Sequence, residues 1–206
     1  MLAHLTGAGL SAAAGLNAYI PLLLVGVSAR FTDAVALPFG FGWLSDWWAL
    51  AILFGLLVVE FVLDKIPVVD HINDLIQTVI RPVSGGAVAA AGSAAAEADR
   101  AMESALNPDD SMLTGWALGI VLALAVHATK AVLRLAVNTG TIGLGTPLAS
   151  LAEDTGSLGM SLLAVFAPIL AGIGLVVMAV LAWRLWLWRR RWKRRRARRR
   201  ATTSAA

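Results

Sequence analysis

Apolar positions along this chain come in long unbroken runs, not in the alternating pattern of a half-buried strand or the single stripe of a surface helix. Four runs approach the ~20 residues that a ~30 Å hydrocarbon core asks of a helix. They cover 5–27, 47–63, 113–135 and 160–183. The first contains GLNAYIPLLLVGV and the second is WWALAILFGLLVVEFVL. Two further stretches, 81–98 (RPVSGGAVAAAGSAAAEA) and 138–154 (NTGTIGLGTPLASLAED), are apolar or small, rich in Gly and interrupted by Pro. Irregular backbone at membrane depth is tolerated only inside protein or beside a wet cavity, so both are predicted as half-helices or re-entrant segments. The alternatives are surface loops with interfacial helices or, for 81–98, a complete small-residue span that reverses the orientation of everything before it. The pattern predicts an all-α polytopic membrane bundle of four transmembrane helices and two re-entrant elements.

Composition strengthens that prediction. Of 206 residues, 58% are hydrophobic and 15% charged, against roughly 45–50% and about 25% in soluble domains. Cysteine is absent, which excludes disulfides, thiolate metal sites and thiol nucleophiles. The formal charge of +4 averages two unlike regions. Eleven of the 17 basic residues lie between Arg184 and Arg200, leaving six against all 13 acids in the body, a net of about −7. A membrane domain over 1–183 and a Trp/Arg-rich tail over 184–206 follow from this split. Trp183, Trp186, Trp188 and Trp192 suit an interfacial belt, and the Arg cluster after them suits a cytoplasmic anchor on anionic headgroups. No nucleic-acid partner is expected, although clustered Arg can also neutralise phosphates. With the tail inside and four spans, the N-terminus is inside too. The polar connector EADRAMESALNPDD, 97–110, joins the halves and ends in a turn and helix-start signal. The N-terminus lacks the basic region of a signal peptide.

Charges inside the apolar runs carry the candidate chemistry. Glu60 and Asp64 stand four apart and share a helix face. His127, Lys130 and Arg134 fall within an arc of about 60° on another helix. A charge at the bilayer centre costs roughly 2.5–3.5 kcal/mol on insertion scales, so the two stripes are expected to face each other and pair. Glu60 and Asp64 then meet Lys130 and Arg134, with Lys65 beside them. Such groups serve either a substrate, ion or proton site, or register-fixing pairs only. Pro21 in the first run frees a carbonyl near Asn17, where an amide beside an opened turn can coordinate a cation or headgroup, or where a mild kink is simply satisfied by its neighbours.

Weaker signals complete the picture. Lys65, Asn73 and Pro82 recur as Lys130, Asn138 and Pro147 at an offset of about 65 residues, a faint internal repeat with Asn138 at a second helix break. Gly115 and Gly119 form a G-x-x-x-G packing pair. Asp70, His71 and Asp74 match no metal-site spacing and suit the polar face of an interfacial helix. Glu153 and Asp154 could cap a helix or pair with Arg81 or Arg134. GxxxxGK[ST], H-E-x-x-H and GxSxG are all missing from the sequence. No catalytic residue, cofactor or metal is therefore expected.

The motifs GLNAYIP (15–21), EFVLDKIPVVD (60–70), IRPVSGG (80–86), HATKAVLRLAVNTG (127–140) and PLASLAED (147–154), in this order, resemble the bacterial integral-membrane family called domain of unknown function 4126. The resemblance runs from about residue 5 to 180 and implies an all-helical membrane protein, with no activity attached. From the residues themselves, the expected function is a small transporter or flippase-like carrier for an anionic solute or lipid headgroup. The bacterial inner membrane is the expected location, as a multi-pass protein and with a homo-oligomer compatible. The competing expectation is a non-catalytic scaffold or assembly factor whose intramembrane ion pairs are structural.

Overall fold

The computed structural model describes residues 2–32, 34–35, 37, 40–100, 109–141 and 144–203. Within these, side chains at 3, 67–68, 70–71, 93–100, 109–114, 139, 185 and 188–203 are not described. The grouping of Asp70 and His71, the connector turn at Asn107-Pro108 and the side chains of the Arg cluster from position 189 onward therefore lie outside the described residues. The chain divides into two units, Met1–Gly172 and Ile173–Ala206.

The fold is all-helical. Its elements are α1 (Leu2–Leu16), α2 (Tyr19–Phe31), a short 3-10 turn (Gly42–Ser45), α3 (Trp47–Leu63), α4 (Pro67–Arg100), α5 (Asp109–Thr141), α6 (Thr146–Phe166) and α7 (Pro168–Thr203). Among the described residues there is no strand. Among the described residues, one helix segment, Gly115–Asn138, is long and apolar enough to cross a membrane. The second expected span coincides with α3.

The first expected span, 5–27, is two helices. Asn17 ends α1, its amide making the last α1 bond to Ala13 O (3.0 Å). The Asn17 side chain then starts α2, Oδ1 accepting from Tyr19 N (3.0 Å) and Ile20 N (3.2 Å). This Asn cap satisfies donors that a new helix leaves orphaned. Pro21 sits in the first turn of α2, where its missing N–H costs nothing. It does not open a turn inside a helix.

The direction of each helix follows from its neighbours. Gly7 meets Ala89 and Gly92, and Ser11 Oγ donates to Gly85 O, so α1 and α4 are antiparallel. Gly15 lies beside Ala123 and Val126, with Gly119 near Ser11, so α5 runs parallel to α1. Glu60 reaches Arg81 while Asp64 reaches Asn73, which sets α3 against α4. Gly26 lies beside Leu50, and the Arg30 guanidinium stacks on Trp47 at 4.3 Å, which sets α2 against α3. Thus α1, α3 and α5 point one way, and α2 and α4 the other. The α1–α2 pair is a helical hairpin with its tip at Asn17-Ala18. At 15 and 13 residues, its arms span only about 22 and 20 Å.

The stretch 81–98, expected as a half-helix, is the inner part of the 34-residue α4, which passes through Pro82 without ending. Tertiary packing overrides the proline here. Ser84, Val88, Ala89, Ala90 and Ala91 are buried, and small residues bring the backbones of α1 and α5 close on either side. Of the stretch 138–154, also expected as re-entrant, residues 138–141 end α5 and residues 146–154 make about the first two and a half turns of α6. Thr146 Oγ1 donates to Asn138 Oδ1 (2.8 Å), Gly145 N donates to Thr141 Oγ1 (2.9 Å), and Pro147 occupies the first turn of α6. The fourth expected span, 160–183, is interrupted at Ala167, whose backbone (φ −145°, ψ 65°) leaves the helix just before Pro168. The repeat partners stand in unlike settings: Lys65 in a turn and Lys130 in mid-helix, Pro82 in mid-helix and Pro147 at a helix start.

Polarity is distributed inside out. The largest fully buried side chains include Arg81, Arg134, Gln77 and Glu60, while Ile52, Phe54, Val59, Ile72, Leu75 and Val79 are exposed. In the second unit, α7 presents exposed Trp183 and Trp186 with ring centroids 5.6 Å apart.

Candidate functional site

The charged stripes converge beneath the tip of the α1–α2 hairpin. Four helices supply the charges: Glu60 at the end of α3, Asp64 just after it, Asp74 and Arg81 on α4, His127, Lys130 and Arg134 on α5, and Glu153 on α6. Helix periodicity explains the aim of each set, since residues three and four apart stack on one face.

Pairing of the stripes is real but divided. Asp64 faces the cations of α5, its Oδ2 lying 3.5 Å from Arg134 Nη1 and 3.8 Å from Lys130 Nζ. Glu60 instead pairs with Arg81 at 2.9 Å, both side chains almost wholly buried. Expected meetings of Glu60 with Lys130 and Arg134 are thus replaced by a pair with α4, because Arg81 lies on one continuous helix that passes through Pro82. Glu153 closes the cluster from α6, 2.9 Å from Lys130 and 3.5 Å from Arg134. Arg134 also reaches Asp74 (3.4 Å) and the carbonyl of Asp64 (3.3 Å). The side chains of Asp74 and Glu153 are 15% and 14% exposed, against about 1% for Lys130 and Arg134. Asp74 and Glu153 form the rim, and the cations with Glu60 and Asp64 form the floor.

Neutral partners fix the geometry. Asn73 Nδ2 donates to Asp64 Oδ1. His127 lies between Thr78 Oγ1, 3.1 Å from Nε2, and Arg81 Nη1, 3.1 Å from Nδ1. Since Arg is donor-only, Nδ1 accepts in that contact, which sets the tautomer with its hydrogen on Nε2 toward Thr78. The carbonyls freed at the end of α1 are taken up by the same cations: Lys130 Nζ donates to Leu16 O at 2.9 Å, and Arg81 Nη1 lies 3.5 Å from Gly15 O. Ser84 Oγ donates to Ala18 O, and Ser157 Oγ to Ala13 O at 2.9 Å. On the far side of the tip, Asn17 Nδ2 donates to Asp154 Oδ1 at 3.0 Å. The hairpin tip and the ion cluster are therefore one bonded unit.

Two expected members lie elsewhere. Lys65 turns out of the cluster, its Nζ donating to Phe61 O at 2.9 Å and resting on the Phe61 ring. Asn138 holds the α5–α6 corner. Asn73 and Asp74 are members that charge counting alone underrated. Their adjacent positions in NDLIQTVIRP, about two turns before Arg81, were the available signal. Among the described residues no group of three metal-ligating side chains gathers.

An all-helical protein with an apolar exterior, a buried ionic cluster and a helical hairpin ending in that cluster is the class that fold and site define. The chain belongs to the family described as "Domain of unknown function (DUF4126)", which matches residues 4–188. No curated protein and no solved structure matches it.

Proposed function

We propose that this protein is a small multi-pass carrier of the bacterial inner membrane, with its Arg-rich tail in the cytoplasm on anionic lipid. The carrying observation is the end of α1 at the hairpin tip, where the Leu16 and Gly15 carbonyls are bonded by Lys130 and Arg81, the same cations that pair with acids from the other helices. Broken helix ends facing an ionic site at depth are the usual build of secondary carriers. The inside-out polarity supports lipid around the helices, since large exposed apolar surfaces call for an apolar partner.

The substrate is an anionic small solute or a lipid headgroup. It enters past the rim acids Asp74 and Glu153, displaces Glu153 from Lys130 and Arg134, and so loosens the bond from Lys130 to Leu16 O. The hairpin arm is then free to move, which couples occupancy to access. Energetically the exchange is between near-equal partners, one anion for another, so neither state is over-stabilised.

A second reading has its own observation. Every cation of the cluster already has a carboxylate partner, as a scaffold with structural pairs requires. Counterflow in proteoliposomes separates the two. The carrier reading expects uptake of a labelled anion or headgroup analogue by the native chain and its loss in Lys130→Met with folding retained. A folded native chain with no flux for carboxylates, phosphates or lipid analogues supports the scaffold.

A further inference from the structure

Beside the ion cluster, α2, α3 and α6 leave a groove of about 320 Å³ walled by Ile20, Leu57, Val58, Phe61 and Leu158, with Asp154 and Thr155 along it. That volume falls at the small end of ligand pockets, roughly 300–1,000 Å³. Val58, Phe61 and Leu158 are also exposed on the apolar outer face, so the groove opens sideways and not toward a polar end. Asp154 is the unusual member. Its Oδ1 accepts from Asn17, its Oδ2 is buried without a hydrogen-bond partner, and none of the ion pairs among the described residues includes it. An apolar trough with one uncompensated carboxylate is complementary to an alkyl chain carrying a cationic head.

We infer that this groove binds a membrane lipid whose headgroup ends in a primary ammonium. The acyl chain lies along Leu57, Val58, Phe61 and Leu158, and the ammonium replaces the missing partner of Asp154 Oδ2. An ammonium supplies charge-assisted donors, which are about twice as strong as neutral ones. A quaternary ammonium supplies charge but no N–H donor, and an anionic head meets repulsion. The Asn17–Asp154 bond places this head directly against the hairpin tip, and the groove is a site beyond the anion path of the carrier reading, on which it does not rest. Binding itself does not depend on transport.

The test is native mass spectrometry of the purified full-length protein, offered equal amounts of phosphatidylethanolamine, phosphatidylcholine and phosphatidylglycerol with identical chains. Phosphatidylethanolamine should be retained about tenfold over the other two, as one charged hydrogen bond implies. Asp154→Asn should reduce it to the phosphatidylcholine level. Leu158→Trp, which fills the trough and leaves the Asn17–Asp154 bond in place, should abolish retention in a protein of unchanged helical content. Equal retention of the three lipids, or retention untouched by both variants, overturns the inference.

Discussion

Arg81 and Glu60 show what a single buried pair does in this protein. Both are almost wholly buried, and Arg81 also touches His127 and the α1 terminus. Removing one partner leaves an uncompensated charge, which typically costs about 3–5 kcal/mol, whereas replacing both with apolar groups is often neutral. Glu60→Met is therefore expected to lower thermal stability in detergent strongly. Glu60→Met combined with Arg81→Met should recover much of that loss. Equal loss in the single and double variants would show that Arg81 is held mainly by its other contacts. Asn17 acts on a smaller scale: Asn17→Ala removes the α2 cap and should cost about 0.5–2 kcal/mol in the same melts. The i, i+4 arithmetic made the two stripes legible in the sequence, because helix periodicity fixes which residues share a face. Choosing a partner is a tertiary matter. Arg81 sits on a segment whose Pro and Gly content pointed to a break, so its reach to Glu60 was hidden, whereas the pairing of Glu153 with Arg134 was legible and is present at 3.5 Å.

At the scale of elements, the hairpin changes how the chain is threaded. Reading 5–27 as one helix puts its two ends on opposite sides of a bilayer. The hairpin puts them on the same side. Cysteines placed singly at Leu2 and Gly40 of this cysteine-free chain should react with an impermeant thiol reagent from one and the same side of sealed vesicles. Labelling from opposite sides would mean that α1 and α2 form one crossing. Asn17 and Pro21 did mark the break in the sequence; the angle between the arms depends on α3, α4 and α6 and leaves no local trace. The small-residue seam is a second element-scale feature. A Cβ at Gly119 would lie 2.5 Å from both Gly85 O and Ala89 Cβ, while one at Gly55 meets nothing within 4 Å. Gly119→Ala should cost roughly 1–3 kcal/mol through overpacking. Gly55→Ala should be neutral or gain up to about 1 kcal/mol from helix propensity. Thermal melts of the two variants side by side check the contrast.

At the scale of the whole first unit, most of the charge on the described residues is gathered inside and apolar surface is turned outward. Long apolar runs made the helical class legible from the sequence, and the order of short motifs made the family legible, whose match covers residues 4–188. Run length alone did not reveal that the 5–27 and 160–183 runs are each broken by a residue beside a proline or an Asn cap. The inverted polarity gives the most direct test of the central claim, that an ionic site reachable by water lies within a lipid-facing shell. Single cysteines at Asp74, Glu153, Leu75 and Val79 would be exposed to an impermeant thiol reagent in native membranes. Leu75 and Val79 are 74% and 69% exposed in the fold, and the rim carboxylates are far more enclosed. The account predicts the reverse order of reactivity: labelling at 74 or 153 from at least one side, and protection by lipid at 75 and 79. Ready labelling at 75 and 79 with protection at 74 and 153, in folded protein, would contradict it.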